Sequence, residues 1–175
     1  MKAIGNTTIS PIRLYSKKIT SLSQIKSGDT IAVPNDASNE SRALYVLKNA
    51  GLIGLSVSGD TLATVKDINS NPKNLVIKEL DAAQTPRALD SITAAVINDD
   101  FATTAKLTVE ESIYTEPVNK DSEQWINIIV ANKKDANNKI YKEVVKAYQT
   151  EATKKAIEKA YPDKRKIAAW GLKLD

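Results

Sequence analysis

Apolar and polar positions along this chain fall into short runs whose spacing shifts between the strand period and the helix period. Thr30, Ile31, Ala32 and Val33 form an apolar run rich in β-branched residues, as expected of a strand covered on both faces. Pro34 ends it, because proline has no N–H to give a ladder. Asn35, Asp36, Ser38 and Asn39 then supply turn and N-cap chemistry. Ala43, Leu44, Leu47 and Ala50 recur on one helical side, and Gly51 is the expected stop. The stretch from Gly28 to Gly51 therefore reads as strand, loop and helix. A loop between a strand's carboxyl end and a helix's N-terminus is where open α/β sheets bind anionic ligands.

Before this stretch, Ile9 to Tyr15 is strand-like but interrupted by Pro11, which suits an edge or a bent crossover. Ser21 is placed to cap a short helix that includes Gln24. After it, residues 52–62 are turn-rich with apolar alternation, an irregular strand or loop. Ala63–Ile68 reads as one or two helical turns closed by Asn71-Pro72, and residues 75–80 as a strand. Thr85-Pro86 offers an N-cap and a first helical position for a short helix through Leu89. Ala94–Ile97 is an apolar strand ending in the turn Asn98-Asp99-Asp100, followed by a helix from Phe101 to Leu107. Ser112–Val118 and Trp125–Ala131 are the last two strand candidates, the second apolar except for Asn127. From Lys139 the pattern is helical: Ile140, Val144, Ala147 and Tyr148, then Ala152, Ala156 and Ala160, with Thr150 capping a second helix and Pro162 ending it. Strands alternating with helices predict an α/β layer architecture with a mostly parallel sheet.

Composition narrows the chemistry. The 175 residues are 42% hydrophobic and 26% charged, enough for one domain with a real core or two small lobes. The net charge of +4 is dispersed, its densest cluster being the short Asp163–Lys166 segment, and no RNP-like aromatic pattern appears, so no nucleic-acid partner is expected. Cysteine and histidine are both absent, which excludes disulfides, cysteine nucleophiles, His-based triads and the usual zinc sites. None of the six glycines forms a P-loop or GxGxxG pattern. No carboxylate sits in an apolar run where its pKa would be forced upward, so catalysis is not expected and no catalytic residue is named.

Four side chains stand against their surroundings: Asn39, Arg42, Asn98 and Asn127. Arg42 lies in the first turn of its helix, where the dipole disfavours a cation. Asn98 lies where an apolar strand ends and Asn127 inside one, and an amide there needs a partner. Three of them have an ordinary reading: a surface ion pair of Arg42 with Glu40 or Asp36, an Asx-turn at Asn98, and a loop contact at Asn127. Taken together they can converge, since an Arg fork with amide donors and acceptors suits the carboxylate and ammonium of an amino acid.

The segments GDTIAVPNDASNESRAL, AGLI, NPKNLVIKELDAAQTPRALD, AAVINDDFA, WINIIVANK and KAYQTE, in this order, resemble the NlpA-type lipoproteins, methionine-binding components of ABC importers. The likeness covers nearly the whole chain. It implies a periplasmic-binding-protein-like (type II) two-lobed α/β fold, with amino acid held in the cleft between lobes. By matching segments, it implies that Arg42 takes the ligand carboxylate while Asn98 and Asn127 hold the head group; Asn39 stands beside them as a further ligand-binding candidate. The ligand implied is D- or L-methionine or a methionine-containing dipeptide; the partner is an ABC transporter permease; no cofactor or metal is implied.

Family members carry a signal peptide, a lipidated cysteine and roughly a further half-lobe before the segment matching ISPIRLYSKK. The chain is accordingly expected to be N-terminally truncated, without the signal peptide and lipobox cysteine that anchor its parent family at the membrane. Expected bounds are residues 1–16 for a crossover strand of the first lobe, 17–130 for a complete ligand-binding lobe, and 131–175 for C-terminal helices of the first lobe. Those helices would lack their sheet, which makes a homo-oligomer through residues 139–161 an expected outcome. The competing reading is a truncated, self-associating lobe that binds no small molecule.

Overall fold

The β-branched run at residues 30–34 is the strand around which its unit is assembled. The computed structural model describes residues 1–58 and 61–174; Gly59 and Asp60, within the stretch read as an irregular strand or loop, lie outside the described residues. In chain order the strands are β1 Lys2–Asn6, β2 Thr8–Ile9, β3 Arg13–Tyr15, β4 Thr30–Pro34, β5 Gly54–Leu55, β6 Ile68–Ser70, β7 Val76–Leu80, β8 Ala94–Ile97, β9 Ser112–Thr115, β10 Ile128–Ala131 and β11 Ile167–Ala168. The α-helices are α1 Ala37–Asn49, α2 Thr85–Ala88, α3 Asp99–Thr104, α4 Lys139–Tyr148 and α5 Glu151–Ala160. The chain divides into two compact units, one spanning Ile12–Glu116 and the other made of Met1–Pro11 and everything from Pro117 onward.

The Ile12–Glu116 unit holds a five-stranded sheet in the order β7-β4-β8-β3-β9. Here β4 is parallel to β7 and β8, while β3 is antiparallel to β8 and β9. The sheet is thus mixed rather than mostly parallel. The chain enters at Ile12, on the edge where β8 ends, so β3 must run against its neighbours before β9 returns the chain to that edge. Side chains alternate between the faces with the strand period of two. Leu14, Ile31, Val33, Ala94 and Val96 pack with Ala43, Leu44, Val46 and Leu47 of α1. Tyr15, Ala32, Ala95 and Ile97 pack on the other face with Leu89 beyond α2 and Ala102 of α3. The central strands β4 and β8 are buried on both faces, which is why they read as unbroken apolar runs.

The helix ends follow the capping rules. Asp36 has extended backbone and its carboxylate accepts the Asn39 N–H, capping α1. At the other end Gly51 takes φ +72°, its N–H bonds the Lys48 carbonyl, and the Leu52 N–H bonds the Leu47 carbonyl. That pattern is a Schellman closure, and it is open to glycine because a Cβ disfavours this backbone region. The 3₁₀ turn Leu22–Gln24 is held at its start by the Gln24 side chain, which accepts the Thr20 and Ser21 N–H groups.

The unit's bounds differ from the expected 17–130. The run from Ile9 to Tyr15 breaks at Pro11 into β2 and β3, which belong to different sheets. At the far end β10 pairs with β1, not with the five-stranded sheet, so the unit closes at Glu116.

The second unit contains two small antiparallel pairs, β1 with β10 and β2 with β11. Ile9, Ile126 and Ala169 form its buried cluster. Helix α4 lies close on β1, where a Cβ on Gly5 would come 2.6 Å from the Val145 side chain. Val145 is the buried residue of α4, whereas Ile140 and Val144 of the expected covering stripe are 70% and 55% exposed. The helix is therefore rotated by about one residue from the predicted face. As expected, Thr150 caps α5: its hydroxyl accepts the Thr153 N–H at 3.1 Å. Among the described residues no helix is long and apolar enough to cross a membrane.

Candidate functional site

Strand register sets which residues share an edge. Arg13 lies opposite Ile97 of β8 and opposite Thr115 of β9. Ile12, Asn98 and Glu116, the next residue in each case, therefore fall along the edge where β8 ends. In the parallel part of the sheet, Pro34 and Leu80 end β4 and β7 on the same side. The α1 N-terminus rises from that edge, carrying Asn39 and Arg42 one turn apart on the same side of the helix.

Three polar side chains are linked here. The Asp36 carboxylate accepts from Asn39 Nδ2 at 3.0 Å, and Asn39 Oδ1 accepts from Asn98 Nδ2 at 2.7 Å. Asn98 stands at the N-cap position of α3 yet makes no capping bond with its side chain. The Asx-turn reading thus gives way to a bond across 59 residues. The Asn98 side-chain oxygen, Oδ1, is buried and has no hydrogen-bond partner among the described residues. A buried acceptor left unsatisfied is uncommon and costs about 1–3 kcal/mol, so its retention calls for a reason.

Arg42 pairs with Glu116, beyond the local partners expected of it. Its Nε donates to Glu116 Oε1 at 3.0 Å and its Nη2 to Glu116 Oε2, and the two side chains are only 12% and 5% exposed. Glu116 Oε2 also accepts the Ile12 N–H at 3.1 Å. The carboxylate supplies the negative charge that makes a cation tolerable in the first turn of α1. Nothing in the local sequence signals Glu116: it lies 74 positions away, just past a strand end. A second buried pair, Arg13 with Asp99 at 3.6 Å, fixes the first turn of α3 to β3.

Glu40, on the same turn of α1, turns away from this group. It is buried, its carboxylate accepts the Val65 N–H at 3.1 Å, and beside it Ser41 Oγ accepts the Ala63 N–H. Burial, supported by Glu79, Asp36 and Asp67, raises the Glu40 pKa above its ordinary 4.5, against the lowering effect of the Val65 N–H. An acid whose pKa is higher folded than unfolded favours the native state in its protonated form. Its contribution is present in full below about pH 4.5 and is lost as pH rises through the folded value. Glu40→Gln, which keeps an acceptor and removes the charge, is expected to melt at a higher temperature than the unsubstituted protein at pH 7. Thermal melts across this range check it: the gap should close in acid, and a lower melting temperature at pH 7 would contradict the assignment.

Asn127 belongs to the other unit. It precedes β10 rather than lying inside a strand, because the 3₁₀ segment Lys120–Trp125 consumes the first part of the expected run. Its side chain is exposed and donates to the Thr8 carbonyl at 3.1 Å, while its backbone bonds both Thr7 and Thr8. The burial cost expected of it does not arise.

Comparison with known proteins matches this architecture to one family. The family model described as NlpA lipoprotein matches residues 1–170. A probable D-methionine-binding lipoprotein MetQ of Vibrio cholerae is 43% identical over 159 residues, covering 90% of this chain and 58% of that protein. The D-methionine-binding lipoprotein MetQ of Escherichia coli K12 is 43% identical over 164 residues, covering 91% and 59%. Among solved structures, the substrate-binding protein of a methionine transporter from Streptococcus pneumoniae is 49% identical with TM-score 0.82, covering 97% of this chain and 68% of that one. A nutrient-binding protein from Burkholderia cenocepacia bound to methionine is 42% identical with TM-score 0.84, covering 97% and 70%. The chain spans under three fifths of the length of these two curated relatives. Its fold is that of the periplasmic substrate-binding proteins of type II, and the chain belongs to the NlpA lipoprotein family.

Proposed function

We propose that this chain supplies the amino-acid-binding part of a substrate-binding component of an ABC importer for methionine. The ligand is D- or L-methionine or a methionine-containing dipeptide, and the partner that receives it is the transporter permease. The observation that carries the reading is the buried, unpartnered Oδ1 of Asn98 at the sheet edge that also carries Asn39 and Arg42. An ammonium donates to such an acceptor, and a guanidinium receives a carboxylate. In this reading Arg42 takes the carboxylate, Asn98 takes the ammonium, Asn39 holds the Asn98 amide in register, and Asn127 adds a head-group contact from its own unit. Relatives named as D-methionine-binding and a structural neighbour bound to methionine support the ligand class. Those relatives are also named lipoproteins, which supports a place at the membrane surface facing the periplasm or cell exterior. Calorimetric titration with methionine tests the reading: saturable heat is expected, and a flat trace at millimolar ligand would reject it.

One observation favours self-association as a second reading. In the unit holding α4, an apolar groove of about 490 Å³ is lined by Met1, Ile4, Ile129, Val130, Tyr141 and Val144. With the exposed Ile140 beside Tyr141 on α4, it amounts to an apolar patch of the kind that soluble monomers rarely leave bare. Sedimentation at micromolar concentration is then expected to give a dimer or larger species that Val144→Lys returns to monomer. A monomer at all concentrations would remove this reading.

A further inference from the structure

We propose that Glu116 is a positioning residue for the amino-acid site, a fixed counter-ion that aims the Arg42 fork before ligand arrives and is not displaced by it. The inference rests on the reading of Arg42 as the carboxylate receptor and adds what sets that receptor's geometry. Glu116 is 5% exposed and its two oxygens accept three donors: Arg42 Nε, Arg42 Nη2 and the Ile12 N–H. Its backbone is held as well, since its own N–H donates to the Ile12 carbonyl at 3.0 Å. A ligand carboxylate that evicted Glu116 would strand a buried charge and the buried Ile12 N–H, two costs that one new ion pair does not offset. Sharing is the cheaper state, with Glu116 kept in place and Arg42 held to one orientation by a two-point contact.

Position adds a second consequence. Ile12 and Glu116 are the first and last residues of their unit, Ile12 following Pro11 and Glu116 preceding Pro117 in the chain. The side chain that aims Arg42 therefore also ties together the two places where the chain enters and leaves the unit. Substituting Glu116 should loosen both at once, which a purely local ion pair would not do.

The test compares the full chain with Glu116→Gln, Arg42→Ala and the double variant, using arginine Nε–H resonances and methionine titration. In the unsubstituted protein the Arg42 Nε–H is expected to be protected from solvent exchange, and Glu116→Gln should remove that protection. Methionine affinity should fall about tenfold or more in Glu116→Gln. The same change should cost nothing further when made on Arg42→Ala, because Glu116 acts through Arg42. Should Glu116→Gln fail to fold, Glu116→Asp keeps the charge but falls one methylene short of the fork, and both readouts should move the same way. Unchanged or tighter binding in Glu116→Gln would overturn the proposal, since a tighter complex marks Glu116 as a competitor for Arg42. A full additive loss on the Arg42→Ala background would overturn it too. Absence of any methionine response in the unsubstituted chain would instead bring down the reading of the site itself.

Discussion

Arg42→Ala is expected to weaken amino-acid binding by about 2–5 kcal/mol, a factor of ~30 or more, because the ligand carboxylate then enters a desolvated site with no cation to meet it. The Arg42 side chain is only 12% exposed, so solvent does little to screen the loss. Arg42→Lys should recover little: a point charge on a flexible stem does not reproduce a planar two-point fork, and Glu116 already uses two of its donors. Stability responds separately, since removing the guanidinium leaves the Glu116 carboxylate buried with the Ile12 N–H still bonded to it. Affinity and melting temperature measured on the same samples check the assignment. An unchanged dissociation constant in a well-folded Arg42→Ala protein would contradict it.

Leu47→Ala is expected to destabilise the Ile12–Glu116 unit by about 2–5 kcal/mol. Leu47 is fully buried on the face of α1 that packs against Leu14, Ile31, Val33 and Val96, and truncation leaves a cavity in a close-packed interior. Its carbonyl also accepts the Leu52 N–H in the helix closure, so the turn at Gly51 and the core are joined at this residue. The same helix carries Asn39 and Arg42, and the loss should therefore reach the site as lower occupancy of the folded state. Denaturant unfolding with unchanged slope gives the value. A shift under about 1 kcal/mol would mean that α1 is not anchored through this face.

Much of the site's scaffold was legible because it is local. The strand at residues 30–34, the Asp36 cap, the apolar face of α1 and the Gly51 stop are all dictated by residues within one turn of one another. What the sequence hid is non-local. The partner of Arg42 is Glu116, brought to it by the order of strands, and no spacing rule links positions 42 and 116. Asn98 signalled itself by standing at the end of an apolar strand, but its bond to Asn39 depends on β4 and β8 being neighbours. The break at Pro11 was signalled by the proline itself, but the reversed direction of β3 was not, since a three-residue strand reads alike in either direction. Asn127 misled for a different reason. An apolar run around an amide suggests burial, yet the run straddles a 3₁₀ turn and the start of β10, and its side chain faces solvent.

In the proposed function Asn39, Arg42 and Asn98 form an amino-acid head-group site at one edge of the sheet. Side-chain and backbone NMR shifts followed during a methionine titration of the whole chain test it most directly, because they detect weak binding and locate it. Saturable shifts are expected at the Asn39 and Asn98 amides and the Arg42 guanidinium, absent in Arg42→Ala. Shifts confined to Tyr141, Val144 and their neighbours in the apolar groove, or no shift anywhere at millimolar methionine, would contradict it.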